Sequence, residues 1–436
     1  MNTYLIWGFG VEGKSAAIYL ASRQLNFSLL TDVYEQATQD YAQQHGIEYL
    51  YGEPGIEQAI NRQFSYVIKS PGISLYRAEV NLFKHAGSKI TSTTQMWFDA
   101  YPQAKTIVVT GTKGKSTSAS LLHYLFNLLG VNNELAGNLG RAILEVKPDE
   151  NSWTILELSS YQLADLHSQV DIFLLLNLFQ EHVPWHQTAE QYYLDKTRLA
   201  RDNFADAVVY NAQSSLSAKY LALDELSNGV CKLAFADECG FHIKDNQLYY
   251  KDEQLTHNFS LKGQHNLKNL AACLAIVEHL GFDWRQLLTK LNGFAALEHR
   301  LQEVQGTNSV LYVNDSISTT PDSTLCALDC YKNQEINLIL GGAERSQCYV
   351  ELISALDNYQ LNKILLLGET GKRILRLLPA DLASKAQYFE HMAIGMAWLN
   401  QHAKAGQVIL LSPAAPSFGE FVNFAERGKL FLSFCR

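Results

Sequence analysis

The stretch VVTGTKGKSTSAS at residues 108–120 decides how this chain is read. An apolar run, TIVVT at 106–110, leads into it, and a leucine-rich helical pattern from Ser116 to Leu129 leads out. Gly111 and Gly114 permit a tight loop whose backbone N–H groups turn inward. Lys115 can reach the β- and γ-phosphates of a nucleoside triphosphate, and Ser116 or Thr117 can hold Mg²⁺. Strand, glycine loop and helix in that order predict an α/β domain of the P-loop ATPase kind with a parallel sheet. Residue 109 is Val where a strict G-x-x-x-x-G-K-[ST] motif begins with Gly, which points to a narrower class than the general motif.

A second glycine fingerprint lies upstream. GFGVEG at 8–13 follows the short apolar run YLIW at 4–7 and precedes the helical pattern SAAIYLASRQ at 15–24. Asp32 closes the next apolar run, SLLTD at 28–32, where a dinucleotide site places its ribose acid. The glycines allow close approach of a diphosphate to a helix N-terminus. Nicotinamide, another nucleoside diphosphate and a purely structural turn all satisfy that pattern.

Working outward, YVIKSPG at 66–72 reads as a further strand closing on a Pro-Gly turn. WTILELSS at 153–160 and DIFLLLNL at 171–178 are nearly unbroken apolar runs of strand length. Such runs suit strands covered on both faces. FHIKDNQLYYKDEQL at 241–255 alternates like a hairpin, and a helix is expected from about Asn266 to Leu280. VLYVND at 310–315, INLILGG at 336–342, KILLLG at 363–368 and QVILLSP at 407–413 are strand candidates of a third block. The expected fold class is α/β in three domains: residues 1–92 Rossmann-like, 93–297 central and P-loop-bearing, and 298–436 again Rossmann-like.

Composition narrows the function. The net charge of −9 argues against a nucleic-acid binder, which needs clustered basic surface. The seven cysteines are irregularly spaced and form no C-x-x-C, so neither a disulfide framework nor a zinc site is expected. No apolar run approaches the ~18 residues of a membrane span. MNTYLIWGFG carries no basic leader pattern. A cytoplasmic, monomeric protein is expected, with small-molecule substrates and neither nucleic-acid nor membrane partners.

GTKGKST (111–117), LAGNLG (135–140), ELSSYQL (157–163), LKGQHNLKNLAA (261–272), LEHR (297–300) and VNDS (313–316) occur in the order seen in the Mur ligases. VIKSPGIS (67–74) and LLSPAAPSFGEFVNFAERG (410–428) resemble the branch that adds glutamate to UDP-N-acetylmuramoyl-L-alanine during peptidoglycan synthesis. The resemblance implies a first domain for the UDP end, a middle domain for ATP and a third for the amino acid. It implies an ATP-dependent amide ligase acting through an acyl phosphate, with ATP and two Mg²⁺ ions as cofactors. A dehydrogenase would leave the loop at 111–117 unused, and a folate-type polyglutamate ligase would leave the front turn unused.

Carried over residue by residue, ATP would be held by Gly111, Thr112, Lys113, Gly114, Lys115, Ser116 and Thr117, with Asn266 and Asn269 at adenine and Arg300 and Asp315 from beyond the second boundary. Glu157, His182 and Lys196 would join Ser116 and Thr117 at Mg²⁺, Lys196 as a carbamate, and Lys115 would be the phosphate cation. The UDP substrate would meet Gly10, Val11, Glu12, Gly13, Asp32, Ser70, Asn138 and Ser159. Glutamate would meet Thr319, Arg345, Ser417 and Phe424. Relatives carry Lys where NDSISTTPDS (314–323) has Ile317, and another where GGAERSQ has Arg345. Exchanging an ammonium for a planar guanidinium re-aims carboxylates. The variant is similar to a subgroup that uses L-glutamate; D-glutamate is the alternative.

Overall fold

The computed structural model describes residues 2–295, 297–345 and 347–435. The first sheet is built from β1 (Tyr4–Trp7), β2 (Phe27–Thr31), β3 (Tyr49–Tyr51), β4 (Tyr66–Lys69) and β5 (Lys89–Thr91). The spatial order is β3-β2-β1-β4-β5, parallel throughout. Leu5, Ile6 and Trp7 of the central strand are all fully buried, as expected where helices cover both faces. The turn after β1 leads straight into the Val11–Ser22 helix. A Cβ on Gly13 would stand 2.1 Å from the Gly8 carbonyl oxygen, so only glycine lets the helix start this close to the strand.

The second sheet comprises β6 (Lys105–Thr110), β7 (Asn133–Gly137), β8 (Trp153–Glu157), β9 (Val170–Leu175), β10 (Ala205–Asn211) and β11 (Cys231–Phe235). Its order is β11-β10-β9-β6-β8-β7, again all parallel. β6 therefore sits mid-sheet between β8 and β9, and the glycine loop leaves its carboxyl end, where open α/β sheets bind ligands. The hairpin expected at 241–255 is a three-stranded antiparallel sheet of β12 (Phe241–Lys244), β13 (Gln247–Tyr250) and β14 (Glu253–Gln254). The Gln264–His279 helix follows, burying Leu270 to Leu274 completely.

The last sheet holds β15 (Gln302–Gln305), β16 (Leu311–Asn314), β17 (Ile336–Gly341), β18 (Leu361–Leu367), β19 (Ala386–Phe389) and β20 (Val408–Leu411), in the order β15-β16-β20-β17-β18-β19. Only β15 runs antiparallel, as an edge strand. Leu338 and Leu340 of β17 pack into one apolar cluster while Ile339 between them packs into another on the opposite face. The chain divides into two compact units, Met1–Phe259 with Asn266–Asn292, and Ser260–His265 with Gly293–Arg436. The first two sheets belong to the first unit, the last to the second.

Candidate active site

The 111–117 loop is pinned from the carboxyl end of β9. Asn177 acts as a substitute strand: its Oδ1 accepts from Lys113 N and its Nδ2 donates to the Lys113 carbonyl, both at 2.9 Å. Thr112 N donates to the Asn177 carbonyl at 3.0 Å, and Thr112 Oγ1 lies 2.8 Å from the Tyr192 hydroxyl. So held, the loop feeds the Lys115–Leu128 helix, whose first-turn N–H groups have no intrahelical acceptor and favour an anion. Thr117 is 2% exposed, whereas Ser116 is half-buried, which makes Ser116 the more accessible hydroxyl. Asn269 lies against Gly114, and its Nδ2 donates to Asn266 Oδ1 at 3.4 Å, so both asparagines stand beside the loop.

Charged groups converge on the same place. Lys115 Nζ donates to the Gly111 and Thr112 carbonyls at 3.0 and 3.1 Å. Lys196 Nζ reaches the Gly111 carbonyl at 3.0 Å from two turns inside the Ala189–Arg201 helix, which Thr188 caps by accepting from Gln191 N. Complete burial, then the Lys115 ammonium, push the Lys196 amine well below the usual lysine range. Glu157 ends β8 opposite Val109 and is 3% exposed. Lys113 pairs with Glu181 at 3.0 Å. Burial raises the Glu181 carboxyl, but Lys113, His182 and Lys115 together outweigh it and hold it below its ordinary value. His182, in left-handed backbone before a one-turn helix, receives the Tyr161 hydroxyl at Nδ1 at 2.8 Å. Desolvation, then Lys196 and Lys115, push its ring down to about 4, against the pull of Glu181, leaving it neutral at pH 7.

The other half of the first unit brings the front turn forward. Gly10 and Val11 are exposed at the head of the Val11–Ser22 helix. The side chains nearby are already engaged. Glu12 takes Gln162 Nε2 at 2.7 Å and the Thr93 hydroxyl, and burial raises its carboxyl. Asp32 takes Trp7 Nε1 at 3.1 Å and Arg77 Nη1 at 2.6 Å. Ser70 donates to the Gly8 carbonyl at 2.8 Å and so seals the turn. Asn138 is exposed beyond β7, with its N–H on the Glu157 carbonyl at 2.9 Å. Ser159 forms a capping box with Gln162 at the Ser160–Leu163 helix. Sequence reading missed Gln162, Asn177, Arg77 and Tyr161. Only Gln162 had a local signal, since S-x-x-Q is a helix-start pattern.

In the second unit Asp315 is 3% exposed after β16 and accepts from Ser412 Oγ at 2.8 Å and Leu301 N at 3.3 Å. Burial pushes its carboxyl up to about 6, while Ser318, Ser412 and Arg300 pull the other way. Arg427, 1% exposed, knits the neighbouring loops: its guanidinium donates to the Ser316 and Ala415 carbonyls at 2.7 and 3.1 Å. Burial lowers it to about 9. A cavity of about 460 Å³ opens at the carboxyl ends of β17 and β18, lined in part by Gly342, Glu344, Lys372, Ser417, Phe418 and Arg427. Arg345 is exposed with its guanidinium 6.0 Å from the Phe418 ring centre. Thr319 is half-buried with its carbonyl on Gln347, and Phe424 is 37% exposed with its carbonyl on Ser316 Oγ.

The chain is similar to known proteins along its length. Residues 109–277 match the Mur ligase middle domain, and residues 299–415 match the Mur ligase glutamate ligase domain. A Xanthomonas euvesicatoria protein named UDP-N-acetylmuramoyl-L-alanine--L-glutamate ligase is 34% identical, the likeness covering 99% of this chain and 94% of that protein. In fold the chain resembles UDP-N-acetylmuramate-alanine ligase MurC from Thermotoga maritima, with a TM-score of 0.63 at 15% identity over 99% of this chain and 98% of that one. It also resembles MurF ligase from Thermotoga maritima, solved in complex with ADP, with a TM-score of 0.62 at 13% identity over 99% and 93%. With consecutive domain matches across more than half its length and a relative this similar from end to end, the chain belongs to the Mur ligase family.

Proposed function

We propose that this protein is an ATP-dependent ligase that joins L-glutamate to UDP-N-acetylmuramoyl-L-alanine in the cytoplasm, acting as a monomer. The observation that carries the reading is the meeting of Lys113, Lys115, Glu157 and Lys196 around one glycine loop, with a second glycine turn at the end of β1 in the same unit. ATP drives the reaction at the first, and the UDP end of the acceptor rests on the second. The relative named for L-glutamate, together with Ile317 and Arg345, favours the L enantiomer. We divide the work among residues 1–92 for the UDP end, 93–297 for ATP and 298–436 for glutamate.

A carboxylate does not yield to an amine at neutral pH because its leaving group would be oxide. Transfer of the γ-phosphoryl group to the alanyl carboxylate gives an acyl phosphate; the glutamate amine then attacks, loses a proton, and phosphate departs. Every step crowds anions, so charge neutralisation and positioning dominate. Lys115 exchanges its loop carbonyls for phosphate oxygens, and the first-turn N–H groups of the helix that opens at Lys115 cradle them. Asn266 and Asn269 hold the adenine. Asn138 and Ser159 flank the reacting carboxylate. Thr319, Arg345, Ser417 and Phe424 bind glutamate, and Arg300 and Asp315 bind ATP.

Mg²⁺ supplies hard positive charge against phosphate oxygens when bound. Among the described residues no three His, Cys, Asp or Glu side chains gather as a metal cage. That suits Mg²⁺, which takes one or two protein carboxylates and completes its shell with water and phosphate. Glu157 and Ser116 or Thr117 fit one ion, and His182 a second. Lys196 fits as a carbamate: its suppressed basicity keeps the amine in the neutral form that adds to CO₂, releasing a proton.

The test is phosphate release with ATP, Mg²⁺, UDP-N-acetylmuramoyl-L-alanine and each glutamate enantiomer. Release dependent on L-glutamate is expected. Release with neither would defeat the ligase reading, and release with the D form alone would overturn only the stereochemistry.

A further inference from the structure

Behind this site, and unused by the chemistry above, four side chains form one hydrogen-bonded chain. His186 Nδ1 lies 2.6 Å from Asp195 Oδ2, and His186 Nε2 lies 2.9 Å from Ser160 Oγ. The Tyr76 hydroxyl meets the Asp195 carboxylate at 2.6 and 2.7 Å. Ser160 is 2% exposed, and His186 and Asp195 are 0% exposed. Gln191 Nε2 also donates to Asp195, at 2.9 Å, and Arg198 lies 3.7 Å from it. With Tyr76 and Gln191 on the same carboxylate, the ring is held with Nδ1 facing Asp195 and Nε2 facing Ser160. Ser160, His186 and Asp195 have the connectivity of a nucleophilic triad. Yet the Ser160 hydroxyl is sealed inside the unit, where no substrate reaches it, so the array does no bond-making of its own.

What it does is visible in its neighbours along the chain. Ser160 opens the short helix just after Ser159 and three residues after Glu157. His186 ends the turn that begins after His182. Asp195 immediately precedes Lys196. Three segments, each bearing one member of the candidate site, are tied to one imidazole. The fourth member, Tyr76, belongs to the first sheet's half of the unit. Its neighbours reinforce the join: Ser74 Oγ donates to the Trp185 carbonyl at 2.5 Å, and Trp185 Nε1 donates to the Pro71 carbonyl at 2.9 Å.

We propose that His186 is a positioning residue for the ligation, fixing the spacing between the segments that carry Glu157, His182 and Lys196 and anchoring them through Asp195 to Tyr76. The role rests on the ligase reading above. Misplacement of catalytic groups by an ångström lowers the rate of the chemical step, so loss of the array should fall on kcat more than on substrate binding.

The experiment compares the full-length wild type with His186→Ala, His186→Asn and Tyr76→Phe. Phosphate release is measured with each substrate varied in turn, and thermal midpoints and amide exchange are measured on the metal-free proteins. His186→Ala is expected to lower kcat roughly 10–100-fold while the KM values for ATP and the UDP substrate stay within about threefold. Amide exchange should rise in residues 158–163 and 189–201. His186→Asn keeps a donor towards Asp195 and should recover about tenfold of the lost kcat. A folded His186→Ala enzyme with wild-type kcat overturns the proposal, as does an Asn variant no better than Ala. Should His186→Ala fail to fold, Tyr76→Phe decides: a several-fold lower kcat at an unchanged midpoint supports the role, and unchanged kcat refutes it. A wild type that releases no phosphate at all would instead sink the ligase reading itself.

Discussion

Replacing Asp315 by Asn should remove a pH-dependent weakness from the second unit. The carboxyl is 3% exposed, and its value is pushed up from 3.8 to about 6 by burial. A carboxyl raised on folding stabilises the fold only while protonated. That contribution is complete below the unfolded value and is lost as pH climbs through the folded one. The gap of about 2.2 pKa units corresponds to roughly 3 kcal/mol by about pH 7.5, of which about 1 kcal/mol is already lost at about pH 4.5. Asn fits the site without a charge. Its Oδ1 can still accept from Leu301 N, and Ser412, which also donates to Thr324 Oγ1 at 3.2 Å, can turn its hydroxyl to accept from the new amide. The stability difference between Asp315→Asn and wild type should therefore swing by about 2 kcal/mol in favour of the variant between about pH 4.5 and 7.5. Urea unfolding of both proteins at several pH values, followed by fluorescence and circular dichroism, measures this swing. A difference flat within about 0.5 kcal/mol, or one that moves in favour of wild type as pH rises, would refute the reasoning about this buried acid.

Further outcomes follow from single sites. Lys115→Ala should abolish phosphate release, since its Nζ lies on the Gly111 and Thr112 carbonyls where the loop would meet phosphate; retained turnover would remove the loop from the mechanism. Lys196→Ala should be inactive and partly restored by a short carboxylic acid that replaces the carbamate oxygens, so an absence of rescue counts against carbamylation. Gly137 has φ +104°, and a Cβ there would stand 2.4 Å from the Glu157 carbonyl oxygen. Gly137→Ala should thus cost at least roughly 2 kcal/mol and depress kcat by shifting Glu157, read by unfolding and steady-state rates.

Local pattern carried far in this chain. The stretch at 4–7 is a strand with those limits, and the loop at 111–114 lies between strand and helix as its glycines and flanking apolar runs require. Most central strands were legible because burial on both faces leaves unbroken apolar runs; β10 was not, because Asp206 interrupts its run. The short outer strands β3, β5, β7, β11 and β19, and the antiparallel edge β15, were not legible either, because three to five residues at a sheet margin carry little hydrophobic signal.

For the site, the pattern of residues by itself singled out Lys115, Ser116 and Glu157 as candidates for phosphate and metal, and Lys196 entered only through the family resemblance. Tertiary structure decided their state. Asp32 looks like a free ribose acid until Arg77, 45 residues away, is found on it. Glu12 looks like part of a nucleotide turn until Gln162, 150 residues away, occupies it. Nothing local to Lys196 reveals that burial beside Lys115 strips its basicity. Chemical identity and backbone preference are local properties written residue by residue, whereas desolvation and pairing depend on which distant groups the packed sheets bring within a few ångströms.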